Sequence, residues 1–177
     1  GAGMTTVICP GTVPESGGNS LIRIPFPKSA DGHFSSEAAD LIDKQLEKKG
    51  AVVIGPGMTG ADEEFTLVER VFKSDKKLIV DAGALIHLAK HPDLLNRQWP
   101  TVLTPHSGEL ARLCAALGYD EVGPAGARLI AITYKCMVIV KGQFSRIISL
   151  CGAETINASG SVALATAGSG DVLAGVI

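Results

Sequence analysis

The sequence predicts an α/β fold: an open, mostly parallel sheet with helices on both faces. Three observations predict it. Short β-branched runs alternate with longer amphipathic segments along the 177 residues. One run, AVVIG at 51–55, is continuously apolar, the pattern of a parallel strand buried on both sides. Hydrophobic residues make up 46% of the chain and the mean hydropathy is +0.27, which supplies a core and excludes a disordered chain.

The elements follow in order. Met4 to Cys9 is a strand closed by Pro10-Gly11, and Leu21 to Ile24 a second, stopped by Pro25 and Pro27. Ser35 or Ser36 is placed to cap a helix over EAADLIDKQLEKK, with Ala38, Leu41, Ile42 and Leu46 on one face and Gly50 as its stop. After AVVIG comes a helix over Asp62 to Phe72, with Phe65, Val68 and Phe72 on one stripe. Leu78 to Val80 is a strand ending at Asp81, followed by a short helix through Leu85, Leu88 and Ala89. Thr101 to Leu103 is a strand, Ser107 to Leu117 a helix, Ala125 to Tyr134 a helix and Met137 to Val140 a strand. Lys141-Gly142-Gln143 reads as a tight turn into a strand over Arg146 to Leu150, and a last helix opens near Gly170. No repeat, low-complexity tract or linker divides the chain.

Composition removes several function classes. Sixteen basic against eighteen acidic residues leave a net charge of -2, with no basic arm, so a nucleic-acid footprint has no support. No apolar run approaches the ~20 residues needed to span a bilayer. Cys9, Cys114, Cys136 and Cys151 show no C-x-x-C spacing and read as free buried thiols in a reducing, cytoplasmic compartment. His33, His87, His91 and His106 are scattered, which argues against a zinc site; the first three read as surface residues. Trp99 and Phe26 read as core or interface anchors.

In open α/β sheets ligands bind at the carboxyl ends of the strands. Four polar or glycine-rich segments fall there: Gly55 to Gly60 (GPGMTG), Asp81-Ala82-Gly83, Thr104 to Glu109 (TPHSGE) and Lys141 to Ser145 (KGQFS). The most specific segment is Gly168-Ser169-Gly170-Asp171-Val172-Leu173-Ala174-Gly175. Small residues ahead of a helix let backbone N–H groups converge on an anion, and the helix N-terminus adds a positive dipole. An aspartate among those amides can accept a proton from a substrate hydroxyl while the amides hold a transferring phosphoryl group. It can equally be a helix-stabilising first-turn charge. No G-x-x-x-x-G-K-[ST] sequence is present, so the P-loop solution is excluded.

GSGDVLAG, with Asn157-Ala158-Ser159-Gly160 ahead of it, resembles the anion-hole and catalytic-aspartate motif of the ribokinase-like superfamily. With VVIGPGM, LIVDAGAL, TVLTPHSGELARL and VIVKG in the same order, it resembles one family: the ADP- or ATP-dependent NAD(P)H-hydrate dehydratases. The resemblance implies a repair reaction. NADH or NADPH hydrated on its nicotinamide ring is phosphorylated at the new hydroxyl, and loss of phosphate restores the dihydronicotinamide. It implies that Asp171 is the base and that the amides of Gly168, Ser169 and Gly170 stabilise the phosphoryl transition state. It further implies that Gly57 or Gly60 and His106, with Asp171, contact the hydrated dinucleotide. Lys141, Gly142, Gln143, Phe144, Ser145 and Gly170 match the segment holding the AMP portion of the donor. ADP or ATP is the implied donor, with Mg2+ on its phosphates, and the implied assembly is a homo-oligomer, a tetramer in the family.

Bland alternatives stand beside these roles. His106 suits a helix cap, Glu109 a first-turn charge, Lys141 an ordinary strand-end lysine, and the GPGMTG glycines a simple turn. The sequence also departs from the family pattern. Thr59 stands where a GPGLG-type pattern has glycine. DAGALI replaces a DADALN-like segment, so Gly83 lacks a carboxylate and Ile86 an amide, and Ser107 stands where proline is usual. The first two departures are expected to weaken substrate or metal contacts. Set against the family's domain, residues 1–177 read as one ribokinase-like α/β domain truncated at both ends, with Gly1-Ala2-Gly3 as a family turn or a cloning scar. Two other functions compete: a ribokinase-like kinase acting on a small vitamin-precursor alcohol, and an inactive nucleotide-binding remnant.

Overall fold

The structure is a computed structural model that describes residues 4–12, 21–161 and 166–177. The expected turn at Gly1-Ala2-Gly3 lies outside the described residues. The elements run β1 (Thr5–Pro10), β2 (Leu21–Phe26), α1 (Ala38–Leu46), β3 (Ala51–Ile54), α2 (Phe65–Lys73), β4 (Lys77–Val80) and α3 (Ala82–Lys90). They continue with β5 (Thr101–Leu103), α4 (Ser107–Ala116), α5 (Gly123–Tyr134), β6 (Met137–Val140), β7 (Ser145–Ile148), β8 (Glu154–Asn157) and α6 (Ser169–Val176). Short 3-10 turns at Asp62–Glu64 and Pro92–Leu95 lead into α2 and follow α3.

The main sheet has the order β3-β4-β5-β6-β7-β8. Its first four strands pair parallel, and β7 and β8 extend it by antiparallel hairpins. β1 and β2 pair parallel with each other in a separate two-stranded sheet. The predicted α/β class and parallel-dominated sheet are thus present. Residues at alternate positions, Val52, Ile54, Leu78, Val80, Leu103, Val138 and Ile148, join one hydrophobic core with the helices. Along that side α1 packs on α2, α2 on α3, α3 on α4 and α4 on α5. On the other side Val53 and Ile79 share a cavity wall with Ala174 and Gly175 of α6.

Three local expectations are corrected. AVVIG is not buried on both sides: among the described residues β3 ends the sheet and pairs only with β4, and it leaves Val53 43% exposed. The buried face of α1 is Ala38, Ala39, Ile42 and Leu46, with Leu41 facing outward; its N-terminus carries no side-chain cap, and Ser35 Oγ is buried without a hydrogen-bond partner among the described residues. In α2 the buried set is Leu67, Val68, Val71 and Phe72, while Phe65 stacks on His91 at 3.9 Å between ring centroids.

One side chain ties the start of β5 to its neighbours. The Arg97 guanidinium donates to the carbonyls of Phe72 (3.0 Å), Ser74 (2.9 Å) and Lys76 (2.9 Å), and to Thr101 Oγ1 (2.8 Å). A planar fork of donors suits this task, because chain ends there would otherwise hold unpaired carbonyls.

Candidate functional site

The register that pairs Ile54 with Val80 and Val80 with Leu103 brings the ends of β3, β4 and β5 level. A bridge between His106 and Lys141 does the same for the chain after β5 and β6. The four segments singled out from sequence therefore lie along one sheet edge.

Asp81 stands at its centre. Its side chain is almost fully buried, and Oδ1 accepts from the Ala82 N–H at 2.9 Å, capping α3. The same oxygen receives the Lys141 Nζ at 2.5 Å, and Glu109 Oε2 lies 3.9 Å from that ammonium. Lys141 is thus no idle strand-end lysine: sixty residues of chain separate it from a buried carboxylate that fixes its head. A Cβ added at Gly170 would meet Lys141 Nζ at 3.4 Å and Asp81 Oδ2 at 3.6 Å. The glycine keeps open a space beside the ion pair.

His106 caps α4. Its Nδ1 accepts from the N–H groups of Gly108 (3.0 Å) and Glu109 (3.4 Å), and Glu109 Oε2 accepts from the His106 N–H at 2.8 Å, a reciprocal capping box. The bland reading of both residues is therefore realised. It does not silence the histidine: with Nδ1 accepting, a neutral ring carries its proton on Nε2, and the side chain is 55% exposed.

Lys141 to Ser145 forms the β6–β7 turn, where Ser145 Oγ donates to the Gly142 carbonyl at 3.3 Å and Phe144 is 55% exposed. Gly168, at φ +87°, is the N-cap of α6; Ser169 N–H donates back to the Thr166 carbonyl at 3.3 Å, and Asp171 is exposed in the first turn. Asp171 lines, with Gly55, Pro56 and Met58, a cavity of about 690 Å³ bounded by β1, β3 and α6. Gly57 is exposed and Gly60 is buried.

The GPGMTG loop is held from beneath. A Cβ at Gly83 would lie 2.5 Å from the Met58 carbonyl carbon, and one at Gly60, whose φ is +80°, would lie 2.8 Å from Ile86 Cγ2. Gly83 and Ile86 are therefore matched to this loop by shape: a side chain at 83 has no room. Glu64, 2% exposed, accepts from the N–H groups of Gly60 (2.9 Å) and Thr59 (3.2 Å), while Lys90 Nζ donates to the Gly60 carbonyl at 3.1 Å.

His87, expected at the surface, is fully buried on α3 with its Nε2 3.6 Å from Glu64 Oε2. Neither ring nitrogen has a hydrogen-bond partner among the described residues. Burial pushes its pKa below the ordinary value, with Glu64 opposing in part. Phe26 is in the core as expected, but Trp99 is 51% exposed. Of the cysteines only Cys114 and Cys136 are buried; Cys9 is half-buried and Cys151 exposed. Among the described residues no helix is long and apolar enough to cross a membrane, and no group of three His, Cys, Asp or Glu could hold a metal ion.

Sequence reasoning marked Asp81 within a strand-end segment but gave it no role, and it did not select Glu64. Asp81 sat at a strand end, a position the sheet rule already marks. Glu64 carried no signal, being one of three acidic residues in a row.

The family model for NAD(P)H-hydrate dehydratase matches residues 1–177. A bifunctional NAD(P)H-hydrate repair enzyme of Salinibacter ruber is 34% identical over 99% of this chain and 34% of its own length. An ADP-dependent (S)-NAD(P)H-hydrate dehydratase of Xanthomonas campestris is 39% identical over 92% of this chain and 51% of its own. The chain therefore spans about a third to a half of these relatives. Among solved structures, an ADP/ATP-dependent NAD(P)H-hydrate dehydratase of Bacillus subtilis, co-crystallized with ATP/Mg2+, superposes with a TM-score of 0.63 at 28% identity, over 88% of this chain and 52% of that one. A ribokinase-like superfamily protein of Enterococcus faecalis reaches a TM-score of 0.77 over 99% of this chain and 60% of its own; at 23% identity it shows the fold alone.

Proposed function

The chain belongs to the NAD(P)H-hydrate dehydratase family, and from that membership we propose that it carries the site for nucleotide-dependent dehydration of hydrated NADH or NADPH. The observation that carries the reading is the placement of Asp171. It stands in the first turn of α6, lines one cavity with Gly55, Pro56 and Met58, and follows Gly170, which faces the Lys141–Asp81 pair. The proton acceptor and the substrate loop thus share one cavity, and the cation fixed by Asp81 lies beside the glycine that precedes the acceptor.

In this reading Asp171 takes the proton of the ring hydroxyl as that oxygen attacks the terminal phosphorus of ADP or ATP, the bond from that phosphorus to its bridging oxygen breaks, and AMP or ADP leaves. The amides of Gly168 and Gly170, joined by that of Ser169 once it leaves the Thr166 carbonyl, would face the transferring phosphoryl group, and the dipole of α6 would favour its charge. The C–O bond of the phosphorylated substrate then breaks, phosphate leaves with the oxygen, a ring proton is lost, and the dihydronicotinamide returns. Gly57, Gly60 and His106 would hold the dinucleotide, with His106 Nε2 as donor. Lys141 to Ser145 would hold the AMP portion, and Gly170, with no side chain beside Lys141, would leave its ammonium open to a donor phosphate. Mg2+ would neutralise the donor's charge.

The rest of the reading is one ribokinase-like domain over residues 1–177, cytoplasmic, and in its whole form a homo-oligomer. The free cysteines suit a reducing compartment. The test is incubation of the full-length protein with hydrated NADH, ADP or ATP, and Mg2+, following dihydronicotinamide absorbance. Recovery of absorbance with release of free phosphate supports the dehydratase; a stable phosphorylated product points instead to a small-alcohol kinase; nucleotide binding without turnover overturns both.

A further inference from the structure

We propose that Glu64 is a positioning residue that sets the backbone of the GPGMTG loop for the hydrated dinucleotide, an inference that rests on the dehydratase reading. A carboxylate 2% exposed is costly unless its oxygens are engaged. Glu64 engages them chiefly with the loop itself: Oε2 takes the Gly60 N–H at 2.9 Å and the Thr59 N–H at 3.2 Å. The basic side chains around the loop do not take its place. Lys90 spends its ammonium on the Gly60 carbonyl and on Asp62 at 2.7 Å, and His33 Nδ1 stays 4.0 Å away. His87, 3.6 Å off and sealed from water, fills the remaining side of the pocket.

The loop is thus gripped on both polarities at one residue, Gly60, whose N–H goes to Glu64 and whose carbonyl goes to Lys90. Thr59 is gripped with it, and its Oγ1 lies 3.3 Å from His33 Nδ1. Beneath, Gly83 and Ile86 abut Met58 and Gly60. Three of the four positions at which this sequence departs from the family pattern, Thr59, Gly83 and Ile86, lie in or against this one loop; Ser107 lies apart, at the start of α4. They form a fitted set, and the charged member that fixes it is Glu64. A purely apolar plug would support the loop without choosing which amides point inward. A carboxylate chooses, and so determines which backbone groups remain for substrate.

The experiment uses the full-length protein and Glu64→Gln, with Glu64→Asp, which retracts the charge by one methylene, and Lys90→Met, which frees the carbonyl side. Steady-state kinetics are read with hydrated NADH and with nucleotide varied separately, alongside hydrogen exchange of the Thr59 and Gly60 amides and a thermal midpoint. Glu64→Gln and Glu64→Asp should raise the KM for hydrated NADH about tenfold, leave the nucleotide KM and kcat within about twofold, and speed exchange at the two amides. Lys90→Met should shift the same KM in the same direction by a smaller factor, and it carries the test if the Glu64 variants do not fold. A wild type active on hydrated NADH, with folded variants unchanged in KM and exchange, overturns the clamp alone. A wild type inactive on hydrated NADH overturns the dehydratase reading and the ligand assigned here, while faster exchange in Glu64→Gln would still show the grip on the loop. Equal losses in both KM values and kcat would reduce Glu64 to general structural support and overturn the proposal.

Discussion

Asp81→Ala tests the pair at the centre of the sheet edge. The substitution removes two things. The first is the cap of α3, the Ala82 N–H bond at 2.9 Å, where loss of a side-chain acceptor costs about 1 kcal/mol. The second is the partner of Lys141, held at 2.5 Å by a carboxylate that is 2% exposed. Breaking a buried pair from one side costs about 3–5 kcal/mol, because a charge is left behind. The low end applies here, since the Lys141 side chain is 21% exposed and Glu109 waits at 3.9 Å. The total is about 4 kcal/mol, a fall in Tm of about 8–16 °C for a chain of this size. Thermal unfolding followed by circular dichroism measures it. Asp81→Asn keeps an acceptor for the cap and should recover about 1 kcal/mol. Adding Lys141→Met to Asp81→Ala should cost less than the two single changes together, by at least about 1.5 kcal/mol. If Asp81→Ala costs no more than the cap, or if the two changes simply add, the ion pair contributes nothing and the reasoning fails.

Three further outcomes follow from other parts of the chain. Lys135 closes α5 in the left-handed region, at φ +50°, so Lys135→Gly should stabilise by about 0.5 kcal/mol; an equal loss in a denaturant titration would contradict the strain. Burial pushes the Cys136 thiol up to about 12 and raises Cys114, whereas Cys151 is exposed and lowered by its bond to Ser149; iodoacetamide at neutral pH should label Cys151 first and reach Cys114 and Cys136 only on unfolding, as peptide mass spectrometry would report. His87 is held below its ordinary 6.5, so the unfolded chain takes up its proton first; stability should be full above about pH 6.5 and fall as pH drops from there toward the lower native pKa, and His87→Gln should flatten that slope in urea titrations at pH 7.5 and 5. An unchanged slope would contradict the burial.

Much of the fold was legible because period and punctuation agree. MVIV and TVL are largely apolar runs between turn residues, and both are interior strands of the sheet. What local pattern could not convey was position across the sheet. AVVIG and MVIV read alike, yet β3 ends the sheet and leaves Val53 exposed, whereas β6 is covered on both edges. β8 went unread because ETIN offers one apolar residue and, among the described residues, pairs only through β7. The site shows the same division. Asp171, Lys141 and His106 announce themselves by motif. Asp81, Glu64 and His87 acquire their surroundings from chain distant in sequence: Lys141 reaches Asp81 from sixty positions away, and His87 meets Glu64 only because α3 packs beside the turn ahead of α2. The departures at Gly83 and Ile86, which suggested weakened contacts, are explained by the close approach of Met58 and Gly60, a tertiary fact absent from any local window.

The central claim is that Asp171 performs the proton transfer in a nucleotide-driven dehydration. The most direct test is turnover of hydrated NADH with ADP or ATP and Mg2+ by the full-length protein and its Asp171→Asn variant. Loss of a positioned proton acceptor should lower kcat by about 10²–10⁴-fold. Nucleotide affinity should be unchanged, because Lys141 to Ser145 remain in place. Turnover by Asp171→Asn within about tenfold of wild type would contradict the account.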